Sequence, residues 1–313
     1  MEIVFVKVAV IFSMAILGYI ANRTGILPDA ANNYMVNLLM DITMPCMILA
    51  SVTSKTLTSD TLREALEVIV GSAVFFVAAA AVSFVIVKAM KYKPLEDQGV
   101  MMVIITAVNT GFMGFPVTKA IFGNEYFFLM VLENVILNLY MYSLCIMQMN
   151  YGNEHKANLA DVFKPLCNIA TFASLLGILL LCIHFKFPSP VMDFLNTVGD
   201  ATIPLSMILV GMQLGNSKLK KILKNYKLLI SSLINVTVIP FLTFLAVNWL
   251  PLTNPAKVIL IFAAAFPCAV ITVAIASKEN KNAGLMAEGV ALSTLFSMAT
   301  LPITSIILMS LYM

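Results

Sequence analysis

The chain predicts an all-α integral membrane protein: ten transmembrane helices arranged as two inverted five-helix repeats, with crossed, interrupted helices 4 and 9. Three observations carry that expectation. Of 313 residues, 60% are hydrophobic and only 11% charged, with a mean hydropathy of +0.95, whereas a soluble domain carries about 25% charged residues. A spaced motif also recurs. Asn37-xxx-Asp41-x-Thr43-x-Pro45 reappears as Asn196-xxx-Asp200-x-Thr202-x-Pro204, each member displaced by 159 residues. Finally, two apolar windows are broken by proline at corresponding places in the two halves, around Pro116 and Pro267.

A membrane span needs about 20 predominantly apolar residues. Ten such windows run along the chain: 3–22, 32–54, 66–87, 98–118, 126–149, 163–184, 190–214, 227–249, 256–276 and 284–312. Their connections are short and leave no soluble domain. The first window carries Glu2 and Lys7 and lacks a small-residue cleavage site, so it reads as an uncleaved helix. The second places Asp41 about ten residues in, four before Pro45, with Thr43 close enough to help satisfy the carbonyl that the proline frees.

The fourth window contains Asn109-Thr-Gly-Phe-Met-Gly-Phe-Pro116, where Pro116 frees the carbonyl of Phe112 and Gly111 and Gly114 let the chain leave helical geometry. A broken backbone inside lipid is tolerated only where protein or a water-filled cavity satisfies it. The fifth carries Glu133, Asn134 and Asn138, with Tyr142 a further turn along.

The second half repeats the first. Gly177 answers Gly18 in the sixth window, and the seventh carries the Asn196–Pro204 motif. In the ninth, Pro267 frees the carbonyl of Ala263, and Thr272 can offer a hydroxyl to the loosened backbone. In the tenth, Glu288, Val290 and Leu292 answer Glu133, Val135 and Leu137 at a displacement of 155. The expected division is a first repeat over 1–150, a cytoplasmic connector over 151–162 and a second repeat over 163–313. Five spans is an odd number, so the second copy lies upside down relative to the first. Inverted repeats with broken helices at matching places are a signature of secondary transporters.

Charge and chemistry narrow the function. With the N-terminus outside, 13 of the 19 Lys and Arg fall on the inner side, including Arg23, Lys88, Lys91, Lys93, Lys156, Lys164, the Lys218–Lys227 run, Lys278 and Lys281. That bias puts both termini outside. The net charge of +3 gives no reason to expect nucleic acid. Cys46, Cys145, Cys167, Cys182 and Cys268 lack metal or redox spacing, and neither His155 nor His184 has a companion ligand or a serine to activate. No metal, cofactor or catalytic set is expected.

If both interrupted spans unwind near their centres and cross, four half-helix ends converge at one depth. Helix N-termini suit an anion, and bare carbonyls suit a cation. The side chains nearest the first break, Asn109, Thr110 and Thr118, are neutral, which favours an anion. The candidate substrate-binding residues are Asn109, Thr110, Gly111, Gly114, Pro116, Pro267, Asn134 and Asn138. Carboxylates inside a membrane face protein or a water path. Asp41, Asp200, Glu133 and Glu288 are therefore candidates for coupling H⁺ or Na⁺, each with a structural alternative as a kink-stabilising or hydrogen-bonding group.

Several stretches resemble the auxin efflux carrier family: Gly18 to Pro28 with Arg23 and Gly25-Ile-Leu-Pro28, the Asn109–Pro116 segment, Pro267 through Lys278-Glu279, and Leu301-Pro302-Ile-Thr. The resemblance covers essentially the whole chain. It implies a scaffold and a mobile transport domain that holds the crossed fourth and ninth helices, with elevator-like alternating access. It also implies organic anion substrates, auxin in plant members and malate or malonate in bacterial ones. The short connector between Tyr151 and Phe163 is similar to the compact bacterial branch, and Asp60 with Arg63 resembles an acid–base pair of the plant carriers in a different register. Plant members carry a second proline near the position of Thr272, which this chain lacks.

The expectation is a cytoplasmic-membrane carrier of a small organic anion, a malate-permease-like protein surrounded by lipid, with a homodimer left open. The alternative is a symporter or antiporter in which cation movement is primary.

Overall fold

A computed structural model of the chain describes residues 2–152, 168–217 and 225–313. The predicted connector beyond Gly152, His155, Lys156, Lys164, Cys167 and the lysines from Lys218 to Lys224 lie outside the described residues. Every regular element among the described residues is helical. Helix α1 spans Glu2–Arg23. Helices α2 (Ala31–Leu38) and α3 (Met44–Thr53) are joined by a π-helical turn, Leu39–Thr43. Helix α4 spans Ser59–Ala89 and α5 Gln98–Thr106. A second π turn, Thr110–Gly114, opens α6 (Phe115–Met141), followed by α7 (Leu144–Met149). Then come α8 (Ile169–Cys182), α9 (Ser189–Asp200) and α10 (Thr202–Asn216). Helices α11 (Tyr226–Leu233) and α12 (Ile239–Asn248) flank a third π turn, Ile234–Val238. The chain ends with α13 (Asn254–Ala264), α14 (Ile271–Lys278) and α15 (Ala283–Tyr312).

Among the described residues, seven helical stretches are long and apolar enough to cross a membrane, and Ile169–Cys182 and Asn254–Ala264 are shorter apolar helices. The predicted fourth window, and the fifth as far as Met141 before it ends in α7, fall within one such stretch, Leu95–Met141. It is bent at residues 107–109 and again at Gly123, whose φ of 82° and ψ of −173° form a corner. Exposed Leu66, Val70, Val74, Val77 and Val85 give α4 an apolar outer face suited to lipid.

Each π turn ends two residues before a proline: Pro45, Pro116 and Pro240. The N–H groups of Met44, Phe115 and Ile239 reach back five residues, to the carbonyls of Leu39, Thr110 and Ile234. Proline has no N–H to give and crowds the preceding turn, and a turn widened by one residue makes room for its ring. The expected help from Thr43 is not there, since its hydroxyl, like that of its repeat counterpart Thr202, is buried without a hydrogen-bond partner.

The helices sort into two packing groups. In the first, α1 lies along α10, and α3 packs on α8 and α9; in the second, α4 packs on α5, α6 and α13, α12 on α13, and α15 on α11 and α14. Packing between the groups is sparser. Glycine allows the close approach of α1 and α10: a Cβ on Gly211 would lie 1.8 Å from the Ala15 carbonyl oxygen, and one on Gly18 would lie 2.1 Å from that of Ile208. Gly177 of α8 meets Val52 and Leu49 of α3.

Hydrogen bonds gather the connections into two clusters. One joins Asn150 to Glu279, Asn282 to Asp97, and the Lys227 ammonium to the Lys91 carbonyl. The other joins Lys186 to the carbonyls of Thr53 and Lys55, Thr253 to Glu67, and Tyr312 to Asn248.

Candidate functional site

Helix α5 stops at Thr106, where Ala107 turns extended (ψ 129°). Asn109 (φ −100°, ψ 59°) restarts the chain, and its carbonyl accepts the N–H groups of Met113 at 3.3 Å and Gly114 at 3.0 Å. Helix α13 stops at Ala264. The Ala263 carbonyl, expected to be freed by Pro267, is taken up by the Phe266 N–H at 3.3 Å. Beyond it the Cys268 N–H donates to Ser293 Oγ of α15 at 3.1 Å. The Thr272 hydroxyl donates to the Ala269 carbonyl at 2.6 Å, the role its position suggested. The two breaks touch: a Cβ on Gly114 would lie 3.4 Å from the Phe266 ring, and Cys268 Sγ lies 4.0 Å from the Val103 carbonyl.

A cavity of about 50 Å³ opens where the breaks meet the other packing group. Val108, Asn109, Gly111 and Phe112 line it from the first break, Ala269 and Ile271 from the second, and Asn134, Leu137, Asn138 and Met141 from α6. Met40, Met44, Asn168, Ala170 and Thr171 close it from the first group. The amides are ordered: Asn138 Nδ2 donates to Asn134 Oδ1 at 3.1 Å, and Asn134 Nδ2 donates to Thr110 Oγ1 at 3.0 Å.

Of the residues singled out from the sequence, Asn109, Gly111, Asn134 and Asn138 share this cavity, and Thr110 is tied to it through Asn134. Gly114, Pro116 and Pro267 do not line it; Gly114 packs between Thr110 and Phe266, and both prolines are buried in the bends that shape it. Asn168 and Thr171 escaped the sequence reading. The usable signal was Asn168 ahead of an apolar run, since it caps α8 by accepting the Ala170 N–H at 2.9 Å.

The four carboxylates part company. Glu133 is 1% exposed, beside Thr110, and neither of its oxygens has a hydrogen-bond partner. Its repeat counterpart Glu288 is half-buried. Asp41 and Asp200 are exposed, contrary to the interior placement expected of them, and neither lines the cavity. The physical reason is the face they occupy: Tyr34, Leu38 and Ile42 are exposed with Asp41, as are Phe194, Asn196 and Thr197 with Asp200. Asp200 Oδ1 accepts the Lys119 ammonium at 3.0 Å.

The two ends of the seam between the packing groups differ. At the Asp200 end it is tied by Lys119–Asp200, by Ser51 Oγ to Asn124 Oδ1 at 3.4 Å and by Lys55–Glu125 at 3.8 Å. At the other end a cleft of about 370 Å³ lies open. Asp29, Asn32, Gln213 and Ser217 wall it on one side, and Val270, Val273, Val290 and Thr294 on the other. Val270 stands between Ala269 and Ile271, so the cleft reaches the wall of the inner cavity.

The family model described as membrane transport protein matches residues 3–305. The chain belongs to this membrane transport protein family, that of the auxin efflux carriers. An uncharacterized transporter of Methanocaldococcus jannaschii is 24% identical over 311 residues, covering 97% of this chain and 98% of that one. An uncharacterized transporter of Methanothermobacter thermautotrophicus is 25% identical over 211 residues, covering 64% and 65%. With its apolar helices, this member of the family is a multi-pass membrane transporter.

Proposed function

We propose that the protein is a secondary transporter that carries a small organic anion, a carboxylate, across the cytoplasmic membrane by alternating access. The observation that carries this reading is the seam: a small amide-lined cavity at two touching helix breaks, tied shut at one end and open at the other. Sliding the second packing group against the first would close the cleft and part the ties, an elevator-like exchange of access.

Ten crossings fit the elements. They follow if Leu95–Met141 crosses twice about Gly123 and if α8 and the α13–α14 pair each cross once. Inversion is supported by exchanged contacts, because Gly18 against Ile208 and Gly177 against Leu49 are the same pair displaced by 159 residues. Arg23, Lys88, Lys91, Lys93, Lys227 and Lys278 at the open end support a cytoplasmic placement of that end, with both termini outside.

The chemistry of the cavity supports the substrate class. Asn109 brings an amide donor and Asn134 keeps one N–H beyond the one given to Thr110, and no charged side chain among the described residues lines the cavity. The N-terminus of α6 lies beyond the first break, where its dipole favours negative charge. A volume of about 50 Å³ exceeds the ~10–15 Å³ a single water needs. It is small beside the ~300–1,000 Å³ of a drug-sized pocket, which suits a short-chain carboxylate.

Uptake and counterflow of labelled malate and malonate in proteoliposomes test the reading, with imposed pH, Na⁺ and voltage gradients as separate arms. Saturable counterflow of either is the expected result. A flux that neither saturates nor shows counterflow marks a pore and sinks it. Asn109→Ala should weaken the apparent affinity about tenfold, as expected for a lost hydrogen bond to a charged group, while leaving expression and melting temperature unchanged.

A further inference from the structure

Glu133 is a buried acid that the carrier scheme leaves unused. It is 1% exposed, and both carboxyl oxygens lack a partner. The charged groups on the helices packed against α6 do not bear on it: Lys7 and Arg23 on α1, Asp60, Arg63, Glu64, Glu67 and Lys88 on α4, and Lys257 on α13. On α6 itself, Lys119 is engaged by Asp200 and Glu125 by Lys55. A carboxyl so deeply buried, with no cation facing it, is costly to ionise. The Thr110 hydroxyl sits beside it. Thr110 Oγ1 already accepts the Asn134 amide, which leaves its O–H as the donor that can face the carboxyl.

We propose that Glu133 is the proton-binding site of this carrier, coupled to the adjacent cavity through Thr110 and Asn134. The inference rests on the transport reading above and names its coupling ion. Asn134 lines the cavity and follows Glu133 directly in α6. A substrate carboxylate seated against the asparagines therefore brings negative charge next to Glu133 and favours the protonated acid. Linkage is reciprocal, so the proton favours the anion equally. One anion and one proton then travel together: the O–H bond of Glu133 forms on the loading side and its proton leaves to water on the other. A lone carboxyl with one hydroxyl beside it also falls well short of the roughly six oxygens that a hard metal cation gathers. The second repeat supplies no equivalent, because Glu288 is half-buried.

Infrared spectra of the purified full-length protein in nanodiscs at neutral pH test the proton directly. The expected result is a protonated-carboxyl carbonyl band that disappears in Glu133→Gln and returns, shifted, in Glu133→Asp. A wild-type spectrum that Glu133→Gln leaves unchanged overturns the assignment, whatever the transport assays give. In proteoliposomes, an acid-outside gradient should speed labelled malate or malonate uptake on the order of tenfold in the wild type and not at all in Glu133→Gln. Equal stimulation of the two proteins also overturns it. If neither compound enters under any gradient, the substrate reading falls alone, and the infrared band decides Glu133.

Discussion

Asp200 holds the Lys119 ammonium at 3.0 Å while its own side chain stays 66% exposed and that of Lys119 only 13%. An ion pair so open to solvent is worth about 0–1 kcal/mol, weak enough to break in every cycle. Its location matters more than its strength, because it joins the two packing groups at the tied end. Lys119→Gln or Asp200→Asn should populate the state open at that end by a few-fold, since about 1 kcal/mol is a factor of roughly five. A buried reporter, Ser51→Cys, should then react faster with a maleimide in nanodiscs, and exchanging the pair (Lys119→Asp with Asp200→Lys) should slow it again. Unaltered labelling in both single variants would remove the pair from the gate. At this scale, Asn109, Asn134 and Asn138 are legible in the sequence because they lie at a break or one helical turn apart. Asn168 and Thr171 are not, since a fold brings α8 to the cavity and no local spacing announces it. Asp41 and Asp200 are legible as a repeated pair but not as exposed groups, because a matched motif says nothing about which helix face meets protein.

Among the elements, prolines announce where the helices bend, and the π turns before Pro45, Pro116 and Pro240 show how the backbone absorbs them. The extra residue in each turn is not readable from sequence, because proline is equally compatible with a kink. The windows likewise mark apolar runs without showing that Gly123 forms the corner inside the longest one. Its φ of 82° with ψ of −173° lies in a region that is essentially open only to glycine. Space is free around it, with nothing within 4 Å of a would-be Cβ, so Gly123→Ala isolates backbone strain. That variant should lose about 1–3 kcal/mol of stability, seen as a lower melting temperature in detergent, with affinity for labelled malonate unchanged. A melting temperature equal to the wild type would mean that the corner relaxes without cost.

Across the whole molecule, the displacement of 159 residues makes the duplication legible, whereas the partition into two packing groups depends on contacts between distant helices. Their seams are not equally tolerant. A Cβ on Gly211 would strike Ala15 backbone at 1.8 Å, but one on Gly177 would meet only side chains, Val52 at 3.3 Å and Leu49 at 3.8 Å. Gly211→Ala should therefore cost about 3 kcal/mol or more in an overpacked contact, and Gly177→Ala far less. Thermal unfolding of the two variants side by side checks the ranking, and equal losses would contradict the close α1–α10 crossing.

The open cleft among Asp29, Asn32, Gln213 and Ser217 has a pharmacological corollary under the proposed orientation. Cytosolic solutes meet the carrier first. A wedge-shaped blocker added to intact cells would have to permeate the bilayer before it could jam the mechanism, whereas in inverted vesicles the same compound would act at once.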